Sequence, residues 1–220
     1  MEHIILDLEM NEVAERYEAE RKICRFEIIE IGAVKLDDNF VEIDSFKTFV
    51  KPQYNSQILE IYENLTGINT QMVQNAPVFE DAFRTFSDWC AKEGEKYTIY
   101  AWSDSDYKQV AREMKLKSYA TNKNENIMLK NWCNFQKSYT QKLGVDHALS
   151  LKKALTYAGL DFEGREHDAL FDARNTAELV AILNDDERFE QMLGSVAEAL
   201  HDTEISSTLG DLFDFSQLSF

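Results

Sequence analysis

Along the first half of the chain, apolar residues come in short runs. Ile4-Ile5-Leu6-Asp7-Leu8-Glu9 has the character of a buried strand, yet it carries two carboxylates at its end. Asn11 to Lys22 is highly charged and predicts an exposed connection or a short helix. The run from Phe26 to Leu36 is apolar and β-branched and predicts a second strand. Asp37-Asp38-Asn39 is turn chemistry, and Phe40 to Val50 alternates loosely up to Lys51-Pro52, so strands two and three should form a hairpin. Then the period changes. Ser56 to Asn64 predicts a short helix broken at Thr66-Gly67-Ile68, and Asn69 to Asn75 another turn of helix. Pro77 opens a helix with Phe79, Phe83, Phe86, Trp89 and Cys90 on one face. Tyr97 to Trp102 predicts a strand running into Ser103-Asp104-Ser105-Asp106 and a helix to about Lys115, and Ile127 to Trp132 predicts a further strand. Ser150 should cap a helix through Ala158 that stops at Gly159, and Gly164 precedes a helix from about Asp168 to Leu183.

The order βββ-α-β-α-β-α-α describes an antiparallel meander continued by parallel strands with crossover helices. The expected class is therefore α/β, a ribonuclease-H-like mixed five-stranded sheet with helices on both faces. Residues 1–185 form one expected domain. Residues 186–220 form an acidic C-terminal helix or tail: from Asp185 onward nine acids face one base, Arg188, and the last stretch from Leu209 to Phe220 interleaves acids with aromatics. Such a tail could dock on a protein partner, fold back on the domain or remain disordered.

Composition changes this picture in three ways. With 220 residues, 44% hydrophobic and 12% aromatic, the chain is large enough for a sizeable core. No apolar run approaches the roughly 20 residues that span a bilayer, and no basic leader opens the chain, so no membrane partner and a cytoplasmic location are expected. Cys24, Cys90 and Cys133 are odd in number and widely spaced, which suits small buried thiols rather than a disulfide framework or zinc site. The net charge of −17 argues against a nucleic-acid partner, but its distribution does not. Between Lys108 and Lys153 ten bases face three acids, a net of +7 that leaves −24 for the remainder. Such a segment is either a solvated face or a surface for a polyanion.

The chemistry begins with Asp7 and Glu9. At i and i+2 on a strand they share a face, where two anions repel unless a cation lies between them; the alternative is that the strand ends at Leu6 and both are solvated. Trp102-Ser103-Asp104-Ser105-Asp106 places acids just past a strand end, where α/β sheets keep their ligands, although helix capping explains one of them. His167 lies on a Gly-preceded loop at a helix start, with Asp172 five residues on. Taken together the set suits metal-assisted phosphodiester hydrolysis. Asp7, Glu9, Asp106 and Asp172 would hold two Mg²⁺ or Mn²⁺ ions, and the imidazole of His167 would take the proton from the attacking water.

Asp7-Leu8-Glu9, a downstream Asp106, and His167 before Asp172 resemble the three motifs of the DEDDh 3'-5' exonucleases, and the resemblance spans Ile4 to about Leu183. Glu27 to Ala33, Phe49-Val50-Lys51-Pro52, Leu65-Thr66-Gly67-Ile68, Trp132 to Tyr139 and Gly164 to His167 are most similar to the enhanced-RNA-interference subgroup and its bacterial relatives. The resemblance implies the acid set Asp7, Glu9, Asp106 and Asp172 with His167 as general base. It further implies that Met10, Leu65 and Thr66 receive the 3'-terminal nucleotide, with stacking that tolerates any base.

Two positions depart from the pattern. Ser103 stands where the subgroup often has glycine, and Asp104 competes with Asp106 as third acid; register from Trp102 favours Asp106. Asp168 occupies the place where the tyrosine branch carries its tyrosine, so the histidine branch is indicated. The expected function is a metal-dependent 3'-5' exonuclease that releases nucleoside 5'-monophosphates from single-stranded or short RNA or DNA. The competing reading is a non-catalytic binding module that recruits a partner through its acidic, aromatic tail.

Overall fold

A computed structural model describes residues 1–91 and 96–200. The chain runs β1 (Glu2–Glu12), α1 (Glu18–Ile23), β2 (Phe26–Leu36), β3 (Glu42–Phe49), α2 (Glu60–Thr66), α3 (Thr70–Val73), α4 (Phe79–Cys90) and β4 (Tyr97–Ala101). It continues through α5 (Asp104–Leu116), α6 (Lys123–Lys130), β5 (Trp132–Asn134), α7 (Phe135–Leu143), α8 (Leu151–Tyr157), α9 (Ala169–Asn184), α10 (Asp186–Phe189) and a π-helical turn at Glu190–Gly194. The five strands lie in the order β3-β2-β1-β4-β5. β1 pairs antiparallel with β2 and β2 with β3, whereas β4 runs parallel to both β1 and β5. This is the mixed sheet of a ribonuclease-H-like fold.

Each sheet face buries its own core. One gathers Ile5, Val34 and Leu36 under α7, α8 and α9; the other gathers Ile4, Leu6, Leu8 and Ile28 under α4 and α5. The alternation of Ile4 and Leu6 against Ile5 along β1 is the period-2 pattern of a strand covered on both sides. Helix α9 buries residues all round, among them Ala173, Asn175, Thr176, Leu179 and Val180, because α8 and α10 cover its outer side.

Several expectations need correction. β1 does not stop near Glu9 but continues to Glu12, and Asn11, expected in an exposed connection, is fully buried. Its side chain donates to the Gln57 carbonyl (3.1 Å) and accepts from the Leu59 N–H (3.1 Å), tying β1 to the approach of α2. Accordingly α2 begins at Glu60, not Ser56, and ends where Gly67 takes a φ of +77°. The apolar run Ile127 to Leu129 belongs to α6, not to a strand. Asn122 and Glu125 form a reciprocal cap that starts this helix, and only the short Trp132–Asn134 segment reaches the sheet edge. Cys133, on that edge strand, is exposed, unlike Cys24 and Cys90. The acidic C-terminal segment begins as part of the fold, since Phe189 and Leu193 are buried in the core beneath α9. The aromatic stretch Leu209 to Phe220 lies outside the described residues.

Candidate active site

β1 pairs with β4 only as far as Leu6 and Ala101. Beyond that point Asp7 to Glu12 have β2 on one side and, among the described residues, no strand on the other, and a cavity of about 550 Å³ opens along the free edge. Asp7, Glu9, Asp106, His167 and Asp172 all line it. Two come from the strand, one from the first turn of α5, one from the first turn of α9 and one from the loop before it.

Local chemistry places each of them. Ser103 caps α5, its hydroxyl accepting the Ser105 N–H at 3.1 Å, so neither nearby aspartate is needed as the cap. Asp104 faces solvent 3.8 Å from Lys108, while Asp106 is buried in the cavity. At the other helix Asp168 is the cap, accepting from the N–H groups of Leu170 and Phe171 at 3.2 and 3.4 Å. Asn175 accepts the Glu163 N–H and donates to the Glu163 carbonyl, both at 2.9 Å, which closes the loop back on α9. His167 then sits at φ +63°, in the left-handed region, and its N–H donates to Asp172 Oδ2 at 3.3 Å. Strained backbone of this kind persists where its surroundings over-determine it.

Gly32 sets how near α9 comes. It is registered opposite Asp7, and a Cβ there would fall 2.3 Å from the Ala169 carbonyl carbon and from the Leu170 nitrogen. Glu30, registered opposite Glu9, accepts the Ala169 N–H at 3.0 Å. The start of α9 is thus held directly against the sheet beside the strand acids.

Burial combined with crowding defines the electrostatics. Loss of solvent, then the charges of Asp106 and Glu9, hold the Asp7 carboxyl well above the usual carboxylate range. Burial and the nearby Asp172 and Glu30 push Glu9 up to about 8. Asp106 is pushed up to about 7 by burial, partly offset by the N–H of Leu8, and burial likewise pushes Asp172 to about 7. Four carboxyl groups that resist ionising at neutral pH are relieved by a shared cation. The fit to one is visible at Asp172, whose Oδ1 is buried without a hydrogen-bond partner among the described residues. Glu9, His167 and Asp172 each offer a ligand atom, all within 4.8 Å of one another. An oxygen-rich set of this kind suits a hard divalent ion.

Met10 and Leu65 line the same cavity, but Thr66 does not. Thr66 is buried, its hydroxyl donating to the Tyr62 carbonyl (2.8 Å) and accepting from the Ile68 N–H (3.0 Å), so it finishes α2 instead of facing a ligand. Phe26 and Tyr62, in edge-to-face contact with centroids 6.0 Å apart, also wall the cavity. Of the ten bases between Lys108 and Lys153 only Lys108 and Arg112 line it. Lys117 is buried between Glu113 (2.6 Å) and Glu27 (3.1 Å), and Lys142 and Lys152 pair with Asp186 and Glu166. Glu30, Asn175, Phe26 and Tyr62 also belong to this place without standing out in the sequence; only the antiparallel register of β1 against β2 puts Glu30 opposite Glu9.

Acids from a central strand and from two helix starts, gathered with a histidine at one open strand edge, define a nuclease domain of the ribonuclease-H-like class. The exonuclease (RNase_T) family model matches residues 4–180, and the chain belongs to that family, in its DEDDh branch. It is 32% identical over 169 residues to 3'-5' exoribonuclease 1 of Rattus norvegicus, an alignment covering 72% of this chain and 47% of that protein. It is 30% identical over 182 residues to ERI1 exoribonuclease 2 of Xenopus laevis, covering 70% of this chain and 25% of that protein. The chain therefore spans about half or less of the length of these relatives. The nuclease domain of 3'hExo, a DEDDh family member solved bound to rAMP, superposes with a TM-score of 0.72 at 27% identity, covering 84% of this chain and 92% of that one.

Proposed function

We propose that the chain is a metal-dependent 3'-5' exonuclease that removes nucleoside 5'-monophosphates from single-stranded or short RNA or DNA. The observation that carries this reading is the convergence of Asp7, Glu9, Asp106 and Asp172, all resisting ionisation, on one cavity with His167 and an unpartnered Asp172 oxygen. The four acids would hold two Mg²⁺ or Mn²⁺ ions. When bound, these supply positive charge to the attacking water, the scissile phosphate and the departing 3' oxygen. His167 accepts the proton as the water oxygen bonds to phosphorus and the bond from phosphorus to the 3' oxygen breaks. Met10 and Leu65 offer apolar surface to the terminal base, and Lys108 and Arg112 offer charge to the phosphates. The nuclease domain of 3'hExo, solved bound to rAMP, supports a nucleotide ligand for this chain.

The test is release of mononucleotides from 5'-labelled RNA and DNA single strands with Mn²⁺, Mg²⁺ or EDTA. Asp7→Ala and His167→Ala should each abolish release while leaving thermal unfolding of the metal-free chain cooperative. Undiminished release in both variants would refute the mechanism.

A further inference from the structure

The four candidate ligands are not the only acids at this place. Glu30 is 1% exposed on the strand position opposite Glu9, and Asp168 directly follows His167. Either could draw a cation away from the set, since a buried carboxylate without a partner is a strong ligand for a hard ion. What occupies them is Lys47 on β3. Its ammonium lies 2.6 Å from Asp168 Oδ2 and 3.2 Å from Glu30 Oε1. The other oxygens of both acids face the start of α9: Glu30 Oε2 accepts the Ala169 N–H, and Asp168 Oδ1 caps the helix. Lys47 is registered opposite Gly32, which is itself opposite Asp7, so one cross-strand row leads from the lysine to the strand acid.

We propose that Lys47 is a positioning residue of the site: it engages Glu30 and Asp168 so that neither competes for the cation, and it holds the loop that carries His167. The inference rests on the nuclease reading. A one-third-exposed ion pair contributes little to stability by itself. Its effect belongs instead to the residues it orients, and the removal of groups that orient metal ligands typically lowers activity about 10- to 100-fold.

This role separates two quantities that ordinary structural damage lowers together. Taking a positive charge from beside an acid cluster frees two more carboxylates, so Lys47→Met should bind Mn²⁺ more tightly, with its dissociation constant at least twofold lower by titration calorimetry. Turnover of a labelled single strand at saturating Mn²⁺ should nevertheless fall about tenfold, with KM within about threefold of the parent value. Lys47→Arg, which keeps the charge, should recover most of the turnover and the parent Mn²⁺ affinity. Lys47→Gln repeats the measurement with a neutral polar side chain should the Met variant unfold. Turnover within twofold of the parent, or Mn²⁺ binding weakened in step with turnover, would overturn the proposal. A parent chain that neither binds Mn²⁺ nor degrades the strand would instead overturn the nuclease reading, and this role with it.

Discussion

Asp172→Asn should make the metal-free protein more stable, and by an amount that depends on pH. Asp172 is 9% exposed, and its carboxyl is raised from the usual 3.8 to about 7 by burial among other acids. The unfolded chain gives up this proton near 3.8 and the folded chain only near 7, so between these values folding must take a proton up. A raised carboxylate therefore costs stability progressively as pH rises through that window, and the cost is complete above it. Displacement by about three pH units corresponds to about 4 kcal/mol at pH 8 but only about 2 kcal/mol at pH 5. Asparagine does not titrate, and its side-chain oxygen can still accept the His167 N–H that Asp172 now receives. For a chain of this size 1 kcal/mol moves the melting temperature by about 2 to 4 °C. In EDTA the variant's advantage should thus widen by roughly 4 to 8 °C between pH 5 and pH 8. Differential scanning calorimetry at the two pH values measures this directly. Saturating Mn²⁺ should shrink or reverse the gap, because the parent gains more from the ion. An advantage that is constant across pH, or a variant less stable at pH 8 than the parent, would refute the claim that acid repulsion dominates the empty cavity.

Three further outcomes follow from the geometry. Asp106→Asn should abolish nucleotide release, whereas Asp104→Asn, which alters only an exposed i,i+4 pair with Lys108, should retain at least half of it in the same assay. Gly32→Ala should lower stability by about 2 kcal/mol or more in urea unfolding, because the new methyl meets backbone of Ala169 and Leu170 that cannot rotate away. Thr66→Val should cost about 1 kcal/mol for its local hydrogen bonds with KM unchanged, while Leu65→Ala, at the cavity wall, should raise KM severalfold.

The parts of this molecule that were legible from residues alone are those with a strong period or a punctuating residue. The hairpin of β2 and β3, the aromatic stripe of α4, the end of α8 before Gly159 and the helix that follows Gly164 all correspond to observed elements. That Asp7, Glu9, Asp106 and Asp172 gather with His167 at one cavity was legible because carboxylates at the ends of apolar strands and at helix starts are costly unless they share a purpose. What was not legible depends on tertiary register. The run Ile127 to Leu129 carries no mark that tells a strand from a helix; the cap formed by Asn122 and Glu125, several residues earlier, decides it. Thr66 adjoins a residue that does face the cavity, and only the direction of its hydroxyl shows that it belongs to the helix. Lys117 counts as one more base in a basic segment, yet it is buried between two glutamates.

Gly32 carries no functional group, but it acts as the gauge of the site. β1 carries Asp7 and Glu9 and α9 carries Asp172, so the width of a seat for an ion held by all three would follow the gap between sheet and helix, which Gly32 keeps free of a side chain. Mg²⁺ demands oxygen at about 2.0 to 2.1 Å, whereas Ca²⁺ accepts about 2.3 to 2.6 Å in looser geometry. Widening the gap by one methyl should therefore change which ion fits before it changes which residues bind. A Gly32→Ala protein that still folds should lose Mg²⁺ affinity more than Ca²⁺ affinity, and equal losses would show that the spacing is set elsewhere.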